Sequence, residues 1–194
     1  MRPTIDLVEE FQLACGGPVP ERPAIPDERV VWMRLHLLTE ELSELMWAVC
    51  AGDRVEQLDA LTDIRYVLDG AVLCYGLGET WRRTHRYTDS GPRETRARVV
   101  VGLMFEWLGD LAQTIGEPSI ALAAFEVLDL QLRRLSRSLG FQPELLDLAF
   151  AEVQRSNMSK SVDGRMTLDA AGRVVKGPGY SPPDLARVLR EYEG

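Results

Sequence analysis

Glu40, Glu41 and Glu44 form an E-E-x-x-E cluster, and steps of three and four residues put Glu41 and Glu40 beside Glu44 on one helix. Like charges this close repel, and the arrangement becomes favourable only when a cation sits between the oxygens. Hard Mg²⁺ or Mn²⁺ suits such ligands. Glu56, Asp59 and Asp63 offer a second acidic group, and a short turn at Ala51 to Arg54 would bring it opposite the glutamates. Either group alone is what any solvated amphipathic helix displays. The pairing across a short turn is what points to a site.

A third element is Asn157-Met158-Ser159-Lys160, where Asn157 and Lys160 can point the same way. Ordinary helix capping by an Asn and a Lys near a C-terminus explains the same residues. A ferritin-like di-metal bundle would need E-x-x-H pairs. The only histidines, His36 and His85, do not follow a carboxylate by three residues, so that chemistry is excluded.

The elements that must position these groups read as helices. Thr4 to Cys15 forms a short one, set apart from the main body by the breaker-rich loop Gly16 to Asp27. From Glu28 to Ala51, Val31, Leu35, Leu38, Leu42, Leu45 and Val49 recur at helical spacing, with Glu40, Glu41 and Glu44 on roughly the opposite side. After Gly52-Asp53 a second helix, about Val55 to Tyr75, carries Leu61, Ile64, Leu68 and Val72 on one face. Its other face holds Glu56, Asp59, Asp63 and Tyr66.

Glu79 to Thr95 is polar and basic, a linker with some local helix. Helical patterns then cover about Arg96 to Ile115, Ser119 to Leu139 and Pro143 to Ser156, the last with a first-turn proline. Arg165 to Thr167 and Arg173 to Val175 flank a turn and are expected to form a small hairpin before a short terminal helix. The fold class is therefore all-α, a helical bundle with a short C-terminal hairpin or tail.

A shift of 66 positions lays Glu106 on Glu40, Asp110 on Glu44 and Asp129 on Asp63. Any two amphipathic helix pairs align about this well. An internally duplicated pseudo-dimer and a simple bundle both stay open.

The chain has 194 residues, 45% hydrophobic and 27% charged, which fits one globular domain or a fused pair of small ones and argues against disorder. No apolar run approaches the roughly 20 residues of a membrane span, and acidic Asp6, Glu9 and Glu10 stand where a signal peptide would be apolar. Cytoplasmic location without a membrane partner is the expectation. Cys15, Cys50 and Cys74 show no ligand spacing and are expected to be buried, reduced thiols. A net charge of −8 lacks the basic footprint of a nucleic-acid binder. A phosphate-bearing ligand would need a bridging cation.

LTEELSEL (Leu38 to Leu45), DALTDIRYV (Asp59 to Val67) and FAEVQRSNMSK (Phe150 to Lys160), in that order, resemble the MazG-like all-α NTP pyrophosphohydrolases. That family includes phosphoribosyl-ATP pyrophosphohydrolase and the dimeric dUTPases. DGR (Asp163 to Arg165) and GRVVKGPGYSPPDL (Gly172 to Leu185) resemble the tail of one bacterial branch. The resemblance covers about residues 1 to 78 and 140 to 190 of one MazG-like domain spanning 1–194. Residues 79–139 read as an insertion or a degenerate second helical repeat.

The resemblance implies hydrolysis of an NTP or dNTP to the monophosphate and pyrophosphate, with Mg²⁺ or Mn²⁺. Glu41, Glu44 and Asp63 match metal ligands, Glu40 matches a carboxylate that orients or deprotonates water, and Asn157 and Lys160 match nucleotide and phosphate contacts. Lys176 is a further phosphate candidate. The family's usual E-x-x-D has Ala60 in place of its Glu, and Asp59, one turn from Asp63, is the available substitute. Phosphoribosyl-ATP as substrate, and a nucleotide-binding or scaffold protein without catalysis, are the alternatives. Relatives build their bundles from two or more chains, so a homodimer or a pseudo-dimeric monomer is implied.

Overall fold

Helix boundaries follow local chemistry closely. In a computed structural model describing residues 2–84, 97–114, 117–162, 165–170 and 173–194, the periodic segments become eight α-helices among the described residues. They are α1 (Thr4–Ala14), α2 (Glu28–Ala51), α3 (Arg54–Cys74), α4 (Gly78–Thr84), α5 (Ala97–Thr114), α6 (Pro118–Ser138), α7 (Pro143–Met158) and α8 (Leu185–Glu193). Asp27 and Asp53 start α2 and α3 by accepting backbone N–H groups of the first turn, and Gly52, at φ 69°, ends α2 in the left-handed conformation. Pro118 and Pro143 open α6 and α7, where a missing N–H costs nothing.

α3 is the hub. It touches α1, α2, α4, α6, α7 and α8, while α5 pairs with α6 and also rests on α2. Crowding on several sides explains why burial along α3 is not a single stripe: Leu58, Ala60, Leu61, Ile64, Tyr66 and Leu68 are all buried. Tyr66, expected on the polar face with Asp63, is therefore interior. Its ring stacks on Phe150 and meets Phe11 edge-on.

The short first helix is part of the bundle rather than set apart from it, since Ile5 and Val8 are buried and α1 packs on α3 and α7. The loop after it lies back over the end of α3, where Ala24 N–H bonds the Tyr75 carbonyl at 3.0 Å. Gly76 stands at that crossing with φ 64°, and a Cβ there would lie 2.0 Å from the Arg22 carbonyl oxygen. Gly76→Ala should thus destabilise the protein by about 3 kcal/mol or more, read as a shift in the urea midpoint. An unchanged midpoint would show that the loop is not seated there.

Two carboxylates, Asp69 and Asp129, are fully buried. Asp69 accepts from Thr4 Oγ1 at 2.6 Å, Trp81 Nε1 at 3.1 Å and Arg65 Nε at 3.3 Å. Asp129 pairs with Arg65 Nη1 and with Arg133 Nη2. This network fastens α1, α3, α4 and α6 together, and burial still holds the Asp69 carboxyl above its usual range despite Arg65.

Of the expected hairpin the described residues show one isolated bridge, Leu168 with Val174, and a separate bridge, Val162 with Arg165, precedes it. Of the cysteines only Cys74 is buried, whereas Cys15 is half-buried and Cys50 exposed, because Cys50 sits on the outward side of α2. Glu79 to Thr95 begins with α4. The remainder of that linker, with His85, and the side chain of Asp110 lie outside the described residues.

Candidate active site

The α2–α3 hairpin sets the acidic groups against one another. On α2, a 100° step per residue places Glu41 on the flank of the Leu38–Leu42–Leu45 stripe, Glu44 further round and Glu40 furthest. Burial follows that order in part: Leu42 and Leu45 are in the core, Glu41 is half-buried and Glu44 is exposed. The three glutamates are thus not equivalent, as an "opposite side" reading implied.

Burial drives the Glu41 carboxyl up to about 8, with Asp63, Glu44, Asp59 and Glu40 adding to the rise. Asp63 is pushed up to about 7 by burial and Asp59, and Lys160 pulls it down. Asp59 rises to about 6 through burial and its neighbours Glu56 and Glu44. Carboxylates from two helices therefore share one field with few cations in it. Ala60, the departure from the expected motif, is 4% exposed and belongs to the hydrophobic core, while Asp59 takes the side facing Glu44.

The oxygen-only donor set and its accumulated negative charge fit a hard divalent cation. Among the described residues, no three acidic, His or Cys side chains are drawn together tightly enough to close on one ion.

Glu40 is held differently from its neighbours. Arg173, from the C-terminal hairpin, donates to both Glu40 oxygens at 3.2 Å and approaches His36 Nε2 at 3.1 Å. Arg29 on α2 also bonds the Ala170 carbonyl. The hairpin is thus laid along α2. Arg173 was not legible as a site residue, because nothing local in the sequence pairs it with a glutamate so far upstream.

At the end of α7, Lys160 Nζ donates to Asn157 Oδ1 at 2.6 Å, and the influence of Lys160 on Asp63 places this pair beside the acidic cluster. Tyr66, which the sequence reading did not single out, adjoins this pair. Its hydroxyl bonds Gln154 Oε1 at 2.7 Å and also engages Asn157, while Gln154 Nε2 donates to the Leu7 carbonyl. Its place three residues after Asp63 was the available signal. Lys176 lies on the tail, 4.7 Å from the centre of the Tyr180 ring, which Lys160 approaches from 5.9 Å. Lys176 thus reaches the region through Tyr180 rather than by touching the carboxylates.

The raised carboxyls make stability depend on pH with a definite sign. Glu41, Asp59 and Asp63 bind protons more tightly folded than their ordinary values of 4.5, 3.8 and 3.8, so the unfolded chain gives them up first. Without divalent cations the melting temperature should fall as pH rises from about 4 to about 8. Added Mg²⁺ should raise it more at pH 8 than at pH 5, as scanning fluorimetry would read. A flat profile would contradict the shared field.

Acidic pairs from two helices thus meet across a tight turn in an all-α bundle, with Lys160 and Asn157 near one end. Residues 8–83 match the family model of phosphoribosyl-ATP pyrophosphohydrolase, which belongs to the MazG-like all-α superfamily. The matched segment runs from α1 to α4 and indicates a hydrolase of the pyrophosphohydrolase type. It contains Glu40, Glu41, Glu44, Asp59 and Asp63, whereas Asn157, Lys160 and Lys176 lie beyond it. No curated protein and no solved structure matches the chain. Among the described residues no helix is long and apolar enough to cross a membrane.

Proposed function

We propose that the protein cleaves the α–β phosphoanhydride bond of a nucleoside or deoxynucleoside triphosphate, releasing the monophosphate and pyrophosphate to cleanse the nucleotide pool. The observation that carries this reading is the shared field of Glu41, Glu44, Asp59 and Asp63 between α2 and α3. These four residues would hold Mg²⁺ or Mn²⁺. When bound, such a cation supplies charge neutralisation and Lewis acidity toward the phosphates.

Lys160, kept in place by Asn157, offers a positive charge to the phosphates, and Tyr66 with Gln154 fixes the Asn157 amide. Lys176 adds a second charge from the tail. Glu40 takes the proton released as water adds to phosphorus and the leaving phosphate group departs. For this role its carboxylate must exchange Arg173 for water, and Arg173 is then free to meet phosphate oxygens.

Residues 79–139 are, in this reading, an inserted or degenerate helical repeat that completes the bundle within one chain. Asp129, the counterpart of Asp63, is fully buried against arginines, which suits a structural role. A pseudo-dimeric monomer follows; sedimentation showing a dimer would favour two-chain assembly. The cytoplasm, where such nucleotides are found, is the fitting location.

The family match supports phosphoribosyl-ATP as substrate equally well, through the same bond and the same residues. A nucleotide sensor without turnover is the reading of another class, and the departure at Ala60 is what would suit it. Purified protein with Mg²⁺ or Mn²⁺ should be given NTPs, dNTPs including dUTP, and phosphoribosyl-ATP, with pyrophosphate assayed directly. Release from one NTP or dNTP supports the proposal and names the base; release only from phosphoribosyl-ATP selects the second reading. Metal-dependent binding with no product would leave the sensor.

A further inference from the structure

A cavity of about 340 Å³ opens among α1, α3, α4, α6 and α7, away from the acidic cluster. Leu61, Thr62 and Arg65 of α3 line it. At 100° per residue Leu61 and Arg65 stand well round α3 from Asp59 and Asp63, with Thr62 between. Its size is at the lower end of the range of about 300–1,000 Å³ typical of small-molecule sites.

The lining is unusual for so acidic a chain. Arg2, Arg65, Arg82 and Arg133 contribute to it, against one carboxylate, Asp147. The acidic partners of these arginines do not line the space: Asp69 and Asp129 are fully buried behind Arg65 and Arg133, Asp6 and Glu9 hold Arg82 from α1, and Glu10 holds Arg2. These pairings orient the guanidinium groups. Arg82 uses Nε and Nη2 on Asp6 and Glu9 at 2.7 and 2.5 Å, which leaves Nη1 as a further donor. Arg133 Nε is buried without a hydrogen-bond partner among the described residues, an uncommon state for a strong donor. Thr62 and Ser136 add hydroxyls, and Ile5, Leu146 and Phe150 supply an apolar wall.

We infer that this cavity is a second ligand site, separate from the carboxylate cluster, for a small organic phosphate: guanidinium groups take the phosphate oxygens and the apolar wall takes the body. Planar guanidinium forks match phosphate geometry, and their weak hydration suits a half-buried site. The two sites call for opposite conditions. The acidic cluster repels a phosphate unless a cation is present, whereas the cavity presents guanidinium donors of its own.

That contrast supplies the test. In EDTA, adenosine monophosphate and pyrophosphate are titrated into the full-length protein and followed by calorimetry and melting temperature. Saturable binding with one site is expected, at least about tenfold weaker in Arg82→Met, which removes one charge-assisted donor. Leu146→Trp, which fills the space from α7 without touching a charge, should weaken it similarly. Glu44→Gln should leave it unchanged. No saturable binding in EDTA, or binding that both cavity variants retain while Glu44→Gln alters it, overturns the inference. Circular dichroism of each variant confirms the fold, and failure of the NTP assay above leaves this test intact.

Discussion

Glu41→Gln is expected to lower turnover by at least about a thousandfold while raising the melting temperature of the cation-free protein at pH 8. A thousandfold is about 4 kcal/mol of barrier, within the several kcal/mol that a properly held cation contributes to phosphoryl chemistry. The gain in stability has a separate cause. Glu41 is half-buried and opposed by Asp63, Glu44, Asp59 and Glu40, and its carboxyl is raised to about 8. A neutral side chain of the same shape removes that opposition. A residue kept for packing alone would lose stability on substitution, so opposite signs for activity and stability mark a group retained for chemistry. Initial rates with the preferred nucleotide, beside melting curves in EDTA, decide the matter. A variant that is active, or that melts lower than the parent, would remove Glu41 from the site.

Arg65→Met is the largest expected stability effect, a loss of roughly 3–5 kcal/mol, because it strands buried charge rather than deleting a surface pair. Asp69 and Asp129 are both fully buried, and Arg65 reaches both. Arg133 would remain on Asp129, and Thr4 and Trp81 on Asp69. Without Arg65 the folded-state Asp69 carboxyl rises further above its usual range, so the deficit is largest near neutral pH. It should shrink as pH falls, because the variant's buried carboxyl takes up its proton before the parent's does. Urea unfolding at pH 7 and pH 5 measures both parts. Equal losses at the two values would show that packing, not charge, links these helices.

The contrast between those two variants follows a division already visible in the amino-acid order. Glu41 lies in a motif whose spacing can be read along one helix. Arg65 reads locally as one basic residue on an acidic helix, and its second partner comes from a helix far along the chain.

Local order determined the helix limits, because caps and breakers act within a turn: Asp27 and Gly52 bound α2 where periodicity placed it. It also determined that Glu41 and Glu44 share a turn, that Asp59 and Asp63 share another, and that the short Gly52-Asp53 connection sets the pairs in antiparallel helices. The family match over residues 8–83 rests on that same order.

Tertiary structure decided what periodicity cannot encode, namely what stands on the far side of each helix. Packing on several sides of α3 buried Tyr66 and Ala60, leaving Asp59 to face Glu44. Docking of the tail brought Arg173 onto Glu40, across a sequence separation that no local pattern spans. Convergence of α1, α3, α4, α6 and α7 created the arginine-lined cavity, whose members are ordinary surface residues when read one helix at a time. The physical reason is common to all three: a side chain's angle on its own helix is fixed by a 100° step, but its burial and its partners depend on helices that reach it only when the whole chain has folded.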